Sequence, residues 1–86
     1  MLEKTLSARL PQGLHARPAA QFIKTAQTFH SSIQVCKAAQ CVNGKSILGL
    51  MSLALANDEE VTLKIDGTDE RAALETLERL LTEGIN

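Results

Sequence analysis

The chain has 86 residues, of which 44% are hydrophobic and 22% charged, a size and balance that allow one domain with a thin core and exclude wholesale disorder. Nine Lys and Arg stand against ten Asp and Glu, and Phe22 and Phe29 are the only aromatic residues, so neither the basic excess nor the stacking platforms of a nucleic-acid binder are present. No apolar run reaches the roughly 20 residues of a membrane span, the first residues do not resemble a signal peptide, and two cysteines are too few for a disulfide scaffold; a cytoplasmic single domain over residues 1–86 is expected, with no membrane or nucleic-acid partner and with Cys36 and Cys41 as reduced thiols.

From Leu2 to Leu10, Leu6, Ala8 and Leu10 alternate with Thr5, Ser7 and Arg9, the period of a strand with one buried face. Pro11-Gln12-Gly13 breaks the chain. Ala19, Phe22, Ile23, Ala26 and Phe29 then recur at three and four residues, which predicts a helix with Pro18 in its first turn and His15 at the N-cap. Ile33 and Val35 face away from Gln34 and Cys36, a second strand, and Val42 can pair back onto Val35 if Ala38-Ala39 is a two-residue turn. Alanine suits such a turn poorly, because it dislikes positive φ.

Ser46 is a good N-cap for a short helix carrying Ile47, Leu48, Leu50, Met51 and Leu53, more apolar residues than one face can bury. Asn57-Asp58-Glu59 is a turn, and Val61, Leu63 and Ile65 alternate with Thr62 and Lys64 as a strand. Thr68 or Asp69 caps a last helix with Asp69 and Glu70 at its start, a stripe of Leu74, Leu77, Leu80 and Leu81, and Gly84 as the stop. The order βαββαβα predicts an α+β fold, with helices on one face of an antiparallel sheet and Gln34, Thr62 and Lys64 on its solvated face.

The residues richest in chemistry are Gly13-Leu14-His15-Ala16-Arg17-Pro18. A histidine where a loop becomes a helix has the free amides of Ala16 and Arg17 and the positive end of the helix dipole beside it, a natural anion site. Arg17 adds a fork that matches phosphate oxygens. Positive potential also disfavours the imidazolium, leaving a neutral, nucleophilic ring. Such a site can hold a phosphoryl group on the histidine; the same residues also read as a plain cap beside a solvated arginine. Gly44-Lys45-Ser46 is not a phosphate-binding loop of the GxxxxGK[ST] kind, since Ala39 stands at the required first glycine. With Leu50 and Leu53 in the core, Ile47, Leu48 and Met51 would be left together at the surface as a partner patch, unless the short helix is wholly buried.

With the run from Lys45 to Leu53, the Gly13–Pro18 motif resembles HPr, the histidine-containing phosphocarrier family of the bacterial phosphoenolpyruvate:sugar phosphotransferase system, over essentially the whole chain. The resemblance implies an open-faced β-sandwich with sheet order 1-4-2-3 and three helices on one face. It implies a carrier, not an enzyme with turnover of its own, and no cofactor. His15 would take a phosphoryl group at Nδ1 from phospho-enzyme I and pass it to sugar-specific enzyme II components. Arg17 and the amides of Ala16 and Arg17 would steady the phosphate. Ser46 matches a regulatory serine phosphorylated by HPr kinase/phosphorylase, in a system that includes a catabolite-control transcription factor. Ala20, Ile47, Leu48 and Met51 match the docking patch, with Lys24 and Lys45 at its rim, and a monomer is expected. The Ala38-Ala39 turn, the Cys36–Cys41 segment and Leu48 in place of a common methionine depart from the family pattern.

Two other readings compete. A regulatory paralogue would act mainly through phospho-Ser46, but within the family that kind carries glutamine where this chain has His15. A metal module would use Cys36, Cys41 and His15 or His30, although C-x₄-C lies outside the common zinc spacing and no metal is expected. Facing cysteines could also form a disulfide, yet the cytosolic prior favours reduced thiols. His30 reads as structural or solvated.

Overall fold

The computed structural model describes residues 1–11, 13, 14 and 16–84. The elements run β1 (Leu2–Ser7), α1 (Ala16–Ala26), β2 (Ser32–Lys37), β3 (Gln40–Asn43), α2 (Ile47–Ser52), β4 (Glu60–Asp66) and α3 (Glu70–Glu83). The four strands form one sheet in the order β1-β4-β2-β3, every neighbouring pair antiparallel. This is the α+β open-faced sandwich expected, with three helices over one face.

Period-two alternation sets the sheet's inner face. Val61, Leu63 and Ile65 of β4 and Ile33 and Val35 of β2 are buried, while Thr62 and Lys64 are half-buried and Gln34 is exposed. The helices close over that face with Phe22 and Ala26 of α1, Leu50 of α2, and Ala73, Leu77 and Leu81 of α3. Leu74 and Leu80, expected in the α3 stripe, pack against this core as partly buried side chains.

Two element boundaries differ from the sequence reading. β1 stops at Ser7 because its partner β4 begins at Glu60, the residue paired with Ser7. Ala8 and Leu10 keep their buried side chains, but the Arg9 amide turns to the Leu81 carbonyl, 2.7 Å away. α1 ends at Ala26, so Phe29 lies beyond it and reaches the core from the connection to β2.

At α3, Asp69 occupies the N-cap position without making a side-chain cap bond. Its carboxylate instead accepts the amides of His30 and Ser31, at 2.8 and 2.9 Å, and the Ser31 hydroxyl. Ser31 is buried, and a donor left unpaired there would cost its full desolvation. His30 is exposed, and its backbone amide, not its ring, joins this latch. Foremost the Ser31 hydroxyl, and with it the two amides, holds the Asp69 carboxyl down to about 2.

The β2–β3 register pairs Cys36 with Cys41 and Lys37 with Gln40, so Ala38-Ala39 is the two-residue turn, with Ala38 in the left-handed region at φ 53°. The reduced-thiol expectation is corrected here: Cys36 and Cys41 form a disulfide. Directly facing positions of an antiparallel pair bring their side chains together, and the Cα atoms lie 4.0 Å apart. The expectation rested on the cellular compartment, which does not act on register. Cys36 is also buried rather than solvated, being flanked on the interior strand by Thr62 and Cys41. With both sulfurs joined to each other, the metal module loses its thiolate ligands.

Asp69 gives a pH signature. Its carboxyl is lower when folded than unfolded, so its stabilisation is complete above about pH 4 and is lost as pH falls toward 2. Tm measured from pH 5 to 2 should fall less steeply for Asp69→Asn than for the wild type; parallel curves would show the latch to be energetically silent. For the disulfide, the chain-entropy model gives about 2 kcal/mol for so short a loop. A reductant should therefore lower Tm by roughly 8–16 °C. An unchanged Tm, with two titratable thiols in unfolded protein that has seen no reductant, would contradict the bridge.

Candidate functional site

The approach to α1 is fixed by backbone chemistry. After β1, the described residues 8–11, 13 and 14 run beside the connection between α2 and β4. The Ala8 amide donates to the Glu59 carbonyl at 3.0 Å, and the Asp58 amide donates back to the Ala8 carbonyl at 2.8 Å. The Leu10 amide donates to Asn57 Oδ1 at 2.9 Å. Gly13 donates to the Leu10 carbonyl, and Leu14 donates to the Leu55 carbonyl at 2.9 Å. Gly13 has φ 75°, a left-handed conformation that suits glycine above all.

His15, the expected N-cap and phosphoryl acceptor, lies outside the described residues. The positions around it are clear. α1 opens at Ala16 with Arg17 exposed and Pro18 and Ala19 buried, so the helix start is anchored by one side and open on the other. The amides of Ala16 and Arg17 have no acceptor within α1, as at any helix start. The Arg17 guanidinium has no ion-pair partner among the described residues. An anion arriving there meets free amide donors, the helix dipole and an uncommitted arginine.

α2 starts where the sequence places it. Ser46 is extended at φ -115°, ψ 120°, and its Oγ accepts the Gly49 amide at 3.1 Å. Asn43 prepares the turn, its Oδ1 accepting the Lys45 amide and its carbonyl accepting the Ser46 amide. Gly44 is required by contact: a Cβ there would lie 2.6 Å from Ile33 Cγ2. With only six residues in the helix, Leu50 and the following Leu53 reach the core. Ile47, Leu48 and Met51 remain exposed, Leu48 at 80%, so the wholly buried alternative is excluded.

α1 and α2 pack side by side, and Ala20 and Lys24 are exposed on α1. Of the two lysines expected at the rim, Lys24 is exposed and Lys45 is not fully so. Lys45 is half-buried, and its Nζ donates at 2.8 Å to the Phe29 carbonyl, just past the end of α1. An apparent surface charge thus ties the approach to α2 to the chain just past α1. Asn57, read only as a turn residue, also proves to be a support of the site. Among the described residues no three His, Cys, Asp or Glu side chains converge as metal ligands, and no helix is long and apolar enough to cross a membrane.

Comparison with known proteins fits this geometry. A family model described as the PTS HPr component phosphorylation site matches residues 2–83. The phosphocarrier protein HPr of Lysinibacillus sphaericus is 48% identical over 73 residues, 85% of this chain and 83% of that protein. The crystal structure of HPr-C-His from Thermoanaerobacter tengcongensis superposes with a TM-score of 0.92 at 43% identity, covering 96% of this chain and 93% of that one. The crystal structure of Crh from Bacillus subtilis, described as a catabolite repression containing protein, superposes with a TM-score of 0.79 at 46% identity, covering 96% of this chain and 95% of that one. That Crh structure is described as a dimer with a swapping domain, which conflicts with the expectation of a monomer for this chain.

Proposed function

This chain belongs to the HPr phosphocarrier family of the phosphotransferase system, and from that premise we propose that it is a cytoplasmic, single-domain carrier which accepts a phosphoryl group on His15 from phospho-enzyme I and delivers it to enzyme II components in sugar uptake. The observation that carries this reading is His15 itself, within Gly13-Leu14-His15-Ala16-Arg17-Pro18, at the entry to a helix whose Arg17 is exposed and uncommitted. A regulatory paralogue of the family would hold glutamine there.

In the proposed transfer, the Nδ1 lone pair of neutral His15 attacks phosphorus. The N–P bond forms as the donor's bond to phosphorus breaks, and the donor keeps that electron pair. Delivery to the next acceptor repeats the exchange in the forward direction. The amides of Ala16 and Arg17 and the Arg17 guanidinium face the phosphoryl oxygens, where charge is spread during transfer. Ala20, Ile47, Leu48 and Met51 supply an apolar docking surface beside Lys24. Nothing in this chemistry requires a cofactor or a turnover of the protein's own.

A second role is favoured by Ser46. Its oxygen caps α2 beside Ile47, Leu48 and Met51, and the similarity to Crh is as close as that to HPr. Phosphorylation by an HPr kinase/phosphorylase would add roughly 1.5–2 negative charges at pH 7 next to the docking patch. That charge would oppose an acidic partner, repel a second phosphate and favour a basic one such as a catabolite-control transcription factor.

His15→Ala should abolish phosphoenolpyruvate-dependent labelling by enzyme I at a cost of no more than about 0.5–2 kcal/mol in stability, the range of a lost cap. Undiminished labelling of that variant would refute the assignment. Phosphorylation of Ser46 should slow transfer from enzyme I without lowering Tm, since a phosphate oxygen can still accept the Gly49 amide. Unchanged kinetics would remove the inhibitory role, and a collapse in Tm would contradict the cap argument.

A further inference from the structure

Lys37 ends β2, far in sequence from the 8–14 segment, and it matches none of the residues that the family resemblance assigns. Its Nζ nonetheless makes three contacts inside the connection between α2 and β4. It donates to the Leu53 carbonyl at 3.2 Å, to the Ala54 carbonyl at 3.3 Å and to Glu59 Oε1 at 3.0 Å. The same Glu59 oxygen accepts the Ala56 amide at 2.7 Å. The Glu59 carboxyl lies below the usual carboxylate range, owing first to the Ala56 amide and then to Lys37.

These contacts bracket one residue. Leu53 and Ala54 precede Leu55, Ala56 follows it, and Leu55 supplies the carbonyl that receives the Leu14 amide. Ala54 has φ 50°, a conformation that an L-residue holds only when its surroundings over-determine it. Lys37 and Glu59 together provide that constraint, and the peptide they steady is bonded to the residue immediately before His15. A lone surface ion pair would be worth little, but one ammonium on two carbonyls and a carboxylate defines a geometry.

We infer that Lys37 and Glu59 are positioning residues for phosphoryl transfer: through Leu55 they hold the Leu14 peptide, and so the backbone leading into His15, in place. This role rests on the carrier reading above. Neither side chain touches the phosphoryl group, so the clamp acts on the rate of transfer and not on docking, which uses the exposed faces of α1 and α2.

The test uses full-length Lys37→Met, Lys37→Arg and Glu59→Gln. Transfer from phospho-enzyme I and hydrogen exchange at the Leu14 amide are measured for each. Lys37→Met should lower kcat roughly threefold to tenfold with KM within about twofold. It should speed Leu14 exchange while leaving Leu63 and Ile65 of β4 protected. Lys37→Arg should recover most of the rate, and Glu59→Gln should lie between the wild type and Lys37→Met. If Tm falls but Leu14 exchange and kcat stay at wild-type values, the clamp is merely structural and the inference is overturned. Should Lys37→Met fail to fold, Glu59→Gln decides by the same two readouts. If the wild type itself accepts no phosphate, the carrier reading fails, a result distinct from labelled variants with unaltered kinetics.

Discussion

The hydrogen bonds between residues 8–14 and residues 55–59 are what the functional end of the molecule depends on. Leaving β1, the chain has no strand partner beyond Ser7 and must satisfy its amides elsewhere. The Ala8, Leu10 and Leu14 amides do so on the α2–β4 connection, at Glu59, Asn57 and Leu55, and the Arg9 amide at Leu81 of α3. The direction in which the backbone enters α1 is therefore set by a loop remote in sequence. Two non-glycine residues of that loop, Ala54 and Asp58, sit at positive φ. Local preference does not produce the Ala54 conformation; Lys37 and Glu59 steady Ala54, while the Asp58 amide is tied across the seam to the Ala8 carbonyl.

A second constraint is the length of α2. Six residues can turn only one stripe toward the core, and Leu50 takes it. Ile47, Leu48 and Met51 are then obliged to face outward on the helical side of the sheet, beside α1. In the proposed carrier role, partner binding would need no separate module, because the short helix presents what its own fold cannot bury. The apolar patch, the Ser46 cap and the entry to α1 lie in one helical layer, so under the proposed function a charge added at Ser46 would act where a partner must be desolvated.

The elements with the strongest periodicity were the most legible. β4 alternates through Val61, Leu63 and Ile65, and the α1 repeat through Phe22 and Ala26 places that helix correctly. The Ala38-Ala39 turn was foreseen from register despite its poor turn chemistry, since pairing Val35 with Val42 forces it. What stayed hidden depends on partners distant in sequence. Nothing local to Lys45 points to the Phe29 carbonyl, nor to Lys37 its three acceptors. Asp69 looks like an ordinary cap until Ser31 arrives from another connection. The Cys36–Cys41 bridge is legible in the facing register of β2 and β3, on which cellular compartment has no bearing. At the site, the motif around His15 was legible as chemistry, whereas its support by Asn57 and Leu55 was not.

Under the proposed function this chain carries a phosphoryl group on His15, and phosphorus NMR of the protein after incubation with phosphoenolpyruvate and enzyme I reads that bond. A single phosphohistidine resonance of the Nδ1 type is expected, stable in base and lost in acid, with Ser46 unmodified. Absence of any histidine-bound phosphate under conditions that label an authentic HPr would contradict it.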